Sequence, residues 1–180
     1  MIRAGVQLFN EQGYDATSVS DLTARLGLTK SALYHHVDSK EQILAVALDD
    51  ALGALEDALA TALAHPTAQA RLSAIIDGAV QVLAERQPEV TLLLRLRGNS
   101  PLELAALERR RRFDHAVTEL VRAAQEQKLV RADLDAGVAT RLIFGMINSV
   151  VEWYRPEGPV DPHSLAGSIS AVALDGLRPR

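Results

Sequence analysis

Apolar residues recur along this chain at intervals of three and four, and strand-type alternation is nearly absent. Ile2, Val6 and Phe9 fall at i, i+4 and i+7, one face of a helix that Gly13 ends. Ser18 with Asp21 forms a capping-box pattern ahead of Val19, Leu22 and Leu26, and Gly27 can take the left-handed conformation that closes a helix. Thr29 caps a short third helix running to about His36. Ser39 with Gln42 caps a long fourth, whose Leu44, Leu48, Leu52, Leu55, Leu59 and Leu63 form one seam until Pro66 breaks it.

The pattern continues to the end of the chain. Thr67 to about Glu85 and Pro88 to Arg97 are expected to be the fifth and sixth helices. Ser100-Pro101-Leu102-Glu103 combines a cap, a proline at the first helical position and a capping glutamate, and opens a seventh helix to about Lys128. Asp133 starts an eighth ending near Tyr154, and Asp161-Pro162 a ninth ending near Leu177. The expected fold is all-α with about nine helices. Residues 1–46 form a three-helix unit, and residues 47–180 form a larger helical body.

The informative part is the second and third helices. Two short helices joined by Leu26-Gly27-Leu28-Thr29 match a helix-turn-helix, whose second helix enters the DNA major groove. At 100° per residue, Leu33 and Val37 share the inward side, while Ser31 and His35 face outward beside Ala32 and Tyr34. Lys30, in the first turn, can reach a base edge or a phosphate, and the helix N-terminus adds amides and partial positive charge suited to phosphate. Thr17 before the second helix and Lys40 at the start of the fourth are placed for the flanking backbone. Spacing alone leaves open a helical hairpin that binds nothing. A buried third helix, however, would not carry Lys30, Ser31, Tyr34, His35 and His36 within seven residues.

From Met1 to about Val46 the chain resembles the DNA-binding domain of the tetracycline-repressor-type (TetR) transcriptional regulators. The matching residues are Leu8-Phe9, Gly13-Tyr14, Thr17-Ser18-Val19, Asp21-Leu22, Gly27-Leu28-Thr29-Lys30, Leu33-Tyr34-His35-His36 and Ser39-Lys40, with Leu44 following. The resemblance implies that Lys30, Ser31 and Ala32, behind the cap Thr29, read bases in double-stranded operator DNA. It implies that Thr17, Tyr34, His35 and Lys40 hold phosphates, with His36 between the recognition helix and the backbone. Two positions depart from the family pattern: Gly5 stands for the usual alanine and Val37 for the usual phenylalanine. The chain opens inside the family's first helix without the basic arm that often precedes it, so the resemblance predicts a native start upstream of Met1.

The larger body resembles the family by architecture, which implies a small-molecule effector and a homodimer through the helices at 134–154 and 162–177. Residues 142–151 are apolar nearly all round, so both faces of that helix need cover; a helix buried within a monomer is the plainer alternative. Phe113, Met146 and Asn148 are the candidate wall of an effector pocket. Gly145-x-x-Asn148 followed by Trp153-Tyr154-Arg155-Pro156 is similar to a family subgroup tied to acyl-CoA and lipid metabolism. Arg109 to Arg112 cover all sides of a helix and are expected to be mainly a solvated, salt-bridged surface; the alternative is a role in holding an anionic ligand, which at most two of them can face.

Composition changes this picture little. The net charge is −4, and residues 1–48 hold four basic against five acidic side chains, so bulk charge lends DNA binding no support. Apolar residues reach 48%, aromatics only 4%, and the effector is accordingly expected to be apolar or amphipathic, with an acyl-CoA as the candidate that the subgroup resemblance implies. With no cysteine there is no disulfide framework, Cys-type zinc site or thiol nucleophile. No signal peptide or membrane-length apolar run is present, and the protein is expected in the cytoplasm. A helical enzyme is a competing class, but HExxH, GxSxG and a phosphate loop are missing, and no histidine has an acid three positions before it. The residues thus predict a ligand-responsive regulator with no cofactor. The alternative is a constitutive repressor without an effector.

Overall fold

The structure, a computed structural model, describes residues 1–177. Among these residues it contains nine helices and no strand: α1 (Ile2–Gln12), α2 (Val19–Leu26), α3 (Lys30–Tyr34), α4 (Lys40–Leu63), α5 (Ala68–Glu85), α6 (Gln87–Leu94), α7 (Pro101–Glu126), α8 (Ala136–Trp153) and α9 (Pro162–Gly176). The all-α expectation therefore holds, with shifts at some ends. The third helix stops at Tyr34 rather than His36, because the amides of His36 and Val37 both turn onto the Leu33 carbonyl. The eighth begins after Asp135, whose carboxylate caps the Val138 amide, and not at Asp133.

Side-chain caps set most helix starts. Ser18 and Asp21 form the reciprocal box ahead of α2, and the carboxylate's bonds to Ser18 hold Asp21 below the usual carboxylate range. At α4 the box is displaced by one residue. Ser39 Oγ accepts from the Gln42 amide, while Gln42 Oε1 accepts from Asp38, not from Ser39. Glu103 departs further from the simple box. Its buried carboxylate gathers the amides of Arg97, Gly98 and Asn99 at 3.2, 2.8 and 3.1 Å and so orders the whole α6–α7 connection. Gly98, at φ 85°, supplies the left-handed residue this turn requires.

Helices α1 to α3 close around Val6, Leu8, Phe9, Leu22 and Leu33, completed by Val37, Ile43 and Leu44 at the start of α4. Helix α4 runs unbroken through residues 46 and 47, so the boundary drawn from sequence falls inside one rigid element. Helix α6 packs on α1 and also on α4, α5 and α8. Asn10 Nδ2 donates to the Pro88 carbonyl at 2.8 Å, and Arg95 donates to the Asn10 carbonyl at 2.8 Å, tying α6 to the N-terminal unit. Asn99 adds a third tie, to Asp15, at 2.9 Å.

Candidate nucleic-acid interface and ligand cavity

Helix α3 has five residues, too few for stability on its own, and is held by its cap and by two inward plugs. Thr29 Oγ1 accepts from the Ala32 amide at 3.2 Å. Leu33 and Val37 are buried at 2% and 5% exposure, as their phase predicted. Around these plugs the chain turns Lys30, Ser31, Tyr34, His35 and His36 to solvent, with Ala32 half-buried. Gly27, at φ 64° and ψ 30°, closes α2 and sets the sharp turn that lifts α3 clear of the body. The outcome is a compact convex surface of one cation, hydroxyls and imidazoles, able to donate to base edges and phosphates alike.

Two residues expected to touch phosphate sit differently. Thr17 is buried, and its hydroxyl donates to the Gly13 carbonyl at 2.8 Å, so its side chain is part of the α1–α2 joint. Lys40 is half-buried; its ammonium donates to the carbonyls of Tyr14 and Thr17 at 2.7 and 2.9 Å and lies over the Tyr14 ring. Tyr14 itself stacks edge-on against Phe9, and burial, with the charges of Glu41, Asp15 and Glu103, pushes its phenol up. The sequence pattern marks Gly13-Tyr14 but carries no sign that Lys40 pairs with it.

A cavity of about 420 Å³ lies in the larger body, walled by α4 to α8. That volume falls within the range of small-molecule sites. Leu55, Leu83, Leu93, Phe113, Phe144 and Ile147 make its apolar wall, and the two phenylalanines meet edge-to-face with centroids 5.5 Å apart. Its polar edge comes from Arg110, Asp114, His115, Thr118, Thr140, Arg141 and Asn148. Of the three residues expected on the wall, Phe113 and Asn148 line it and Met146 does not. Met146 lies about 200° around α8 from both Phe144 and Asn148, on the side away from the cavity. Sequence reasoning missed Asp114 and Arg141, and it allowed two of Arg109 to Arg112 at a ligand without singling out Arg110. The available signal was phase: Arg110 precedes Phe113 by three residues, on the same face of α7.

On the outside, α8 leaves Val138 and Leu142 exposed, at 40% and 58%, and α9 leaves Val172 at 65%. Nothing stands within 4 Å of where a Cβ would sit on Gly145 or Gly167. Val150 and Ile169, by contrast, are turned into the protomer's own core.

Two family models account for most of the chain. That of the tetR family of bacterial regulatory proteins matches residues 1–47, and that of the tetracyclin repressor-like C-terminal domain matches residues 65–177. The chain belongs to the TetR family. Among curated TetR relatives, the HTH-type transcriptional repressor KstR2 of Rhodococcus jostii RHA1 is 31% identical across 94% of this chain and 85% of its own length. The crystal structure of SCO3833, a TetR regulator of Streptomyces coelicolor A3, superposes with a TM-score of 0.88 at 44% identity, covering 98% of this chain and 90% of that one. AibR, solved with isovaleryl coenzyme A and operator DNA, shares the fold at a TM-score of 0.80 and 22% identity, over 95% of this chain and 94% of its own. This TetR protein is thus a DNA-binding transcriptional regulator, with a repressor among its relatives. Among the described residues no helix is long and apolar enough to cross a membrane.

Proposed function

We propose that this TetR protein is an effector-released repressor that binds a palindromic operator as a dimer in the bacterial cytoplasm. Residues 1–46 carry the DNA contacts, and residues 47–180 carry the effector cavity and the dimer contacts. One observation carries the reading. Helix α6 contributes Val90, Leu93 and Leu94 to the cavity and is hydrogen-bonded through Pro88 and Arg95 to Asn10 of α1. A ligand that displaces α6 therefore acts on the reading unit with no flexible linker between them.

Lys30, Ser31 and Ala32 are assigned to base edges, and Tyr34, His35 and His36 to the flanking backbone. The exposed Val138, Leu142 and Val172 supply the apolar patch expected of a two-fold interface built from α8 and α9. The effector is apolar or amphipathic. AibR, with the same fold, holds isovaleryl coenzyme A.

Selection from a random-sequence duplex library tests the proposal. The expected motif is a palindrome with half-sites about one helical turn, ~34–36 Å, or a multiple apart. A non-palindromic or absent motif overturns the dimeric operator. Operator affinity is then measured with amphipathic acids and acyl-CoAs. If binding of such a ligand leaves that affinity unchanged, the protein is a constitutive repressor.

A further inference from the structure

The four consecutive arginines of α7 part company. Arg109 donates to Asp49 at 2.7 Å and to both carboxylate oxygens of Glu56, at 3.0 and 2.7 Å, pinning α7 to α4. Arg111 and Arg112 lean on Glu108 at 3.7 and 3.9 Å. Arg110 makes no ion pair at such distances among the described residues, is half-buried, and lines the cavity. On α8, the exposed Arg141 donates among the described residues to the carbonyl of Gly137 at 3.1 Å, makes no ion pair there, and lines the same cavity.

The chain has 23 acidic side chains against 19 lysines and arginines, so these two guanidinium groups do not lack a direct ion pair for want of carboxylates. Asp114 stands one turn from Arg110 on the same face, and its carboxyl accepts no hydrogen bond among the described residues. Burial pushes that carboxyl up, and Arg110 draws it down. Arg110 thus offsets Asp114, and Arg141 remains in surplus beside a wall of leucines and phenylalanines. A guanidinium at the edge of an apolar space matches a planar or tetrahedral oxyanion through charge-assisted, often bidentate hydrogen bonds.

We propose that the cavity selects its effector by an anionic head group, held by Arg110 and Arg141, with the apolar body lying against Phe113 and Phe144. This rests on the reading of the cavity as the effector site. The anion is an oxyanion on an aliphatic or alicyclic body, either a free carboxylate or the phosphate of a thioester carrier. Asp114 takes a hydroxyl or other donor on the same ligand.

Octanoate, octanol and octanoyl coenzyme A are titrated calorimetrically into the full chain, into Arg110→Gln and into Arg141→Gln, after equal melting temperatures establish that the variants fold. At least one anion is expected to bind about tenfold or more tighter than octanol. Each variant should lose about that factor for the anion, the size of one charge-assisted contact, and nothing for octanol. Preference for octanoate assigns the head group to a carboxylate, and preference for the thioester assigns it to phosphate. Octanol binding as tightly as the anions, unaffected by either variant, overturns the inference and leaves the effector cavity standing. Absence of binding by all three overturns it as well. Operator release is followed in the same samples by fluorescence anisotropy. Anion binding without release keeps the head-group selection and removes the effector role.

Discussion

The ammonium of Lys40 stands 4.2 Å from the centre of the Tyr14 ring and donates at 2.7 Å to the carbonyl of the same residue. With the Thr17 carbonyl at 2.9 Å, two of its three donors are engaged inside the protein. The lysine closes the α1–α2 turn onto the first residue of α4, the point from which α3 is aimed.

Lys40 and Lys30 should therefore respond differently to salt. Lys40→Ala is expected to lower the melting temperature and weaken every DNA sequence, with a change in the salt slope well short of one unit. Lys30→Ala is expected to cost about 1–3 kcal/mol on the selected operator, less on random DNA, and to leave the melting temperature unchanged. Affinities of both variants at several salt concentrations check this. A slope reduced by about one for Lys40→Ala makes it a phosphate contact after all.

Gly5 concerns packing. A Cβ there would stand 2.9 Å from Ile43 Cγ2, which belongs to a β-branched side chain locked by its helix. Alanine would gain about 1 kcal/mol of helix propensity but meet an overpacking cost of about 1–3 kcal/mol. Gly5→Ala is expected to destabilise by about 1 kcal/mol, or about 2–4 °C in a chain of this size. Adding Ile43→Leu, which removes the offending methyl, should recover much of the loss. Denaturant melts of the four corners of the cycle measure the coupling, and simple additivity defeats the explanation.

Asp114 gives a pH signature. Burial raises its folded pKa, so the folded state binds the proton more tightly and pays for ionisation as pH rises from the unfolded value. Asp114→Asn is expected to raise the melting temperature at pH 7. That gain should shrink as pH falls through the folded pKa and vanish below the usual carboxylate range. A gain that persists unchanged at pH 3 contradicts it.

The dimer prediction uses the exposed positions. Leu142→Glu and Val172→Glu are expected to give monomers by light scattering with nearly unchanged protomer stability. Val150→Asp should unfold the chain, since it puts a charge into a fully buried site. A wild-type mass of one chain at micromolar concentration removes the interface.

Much of this was legible because caps and phase are local. Ser18-Asp21, Thr29 and Asp161 announce helices from three residues, and the outward and inward sides of α3 follow from 100° steps. The cavity was not legible in the same way. Which of Phe113, Met146 and Asn148 face it depends on how α7 and α8 turn toward each other, a property of packing between residues far apart in sequence. The same holds for Gly5, whose reason lies 38 residues away at Ile43; Thr17 differs, since its hydroxyl turns to a carbonyl only four residues back, a local choice of rotamer that apolar periodicity does not report.

The brevity of α3 has a bearing on how such a regulator diversifies. Its fold is secured by Thr29, Leu33 and Val37, while the solvent-facing side chains proposed to meet DNA contribute little to holding it in place. Address and architecture are thus written in different residues. Lys30, Ser31, Tyr34, His35 and His36 can be exchanged as a set, by drift or in a designed library, to send one scaffold to new promoters while its melting point stays where it was.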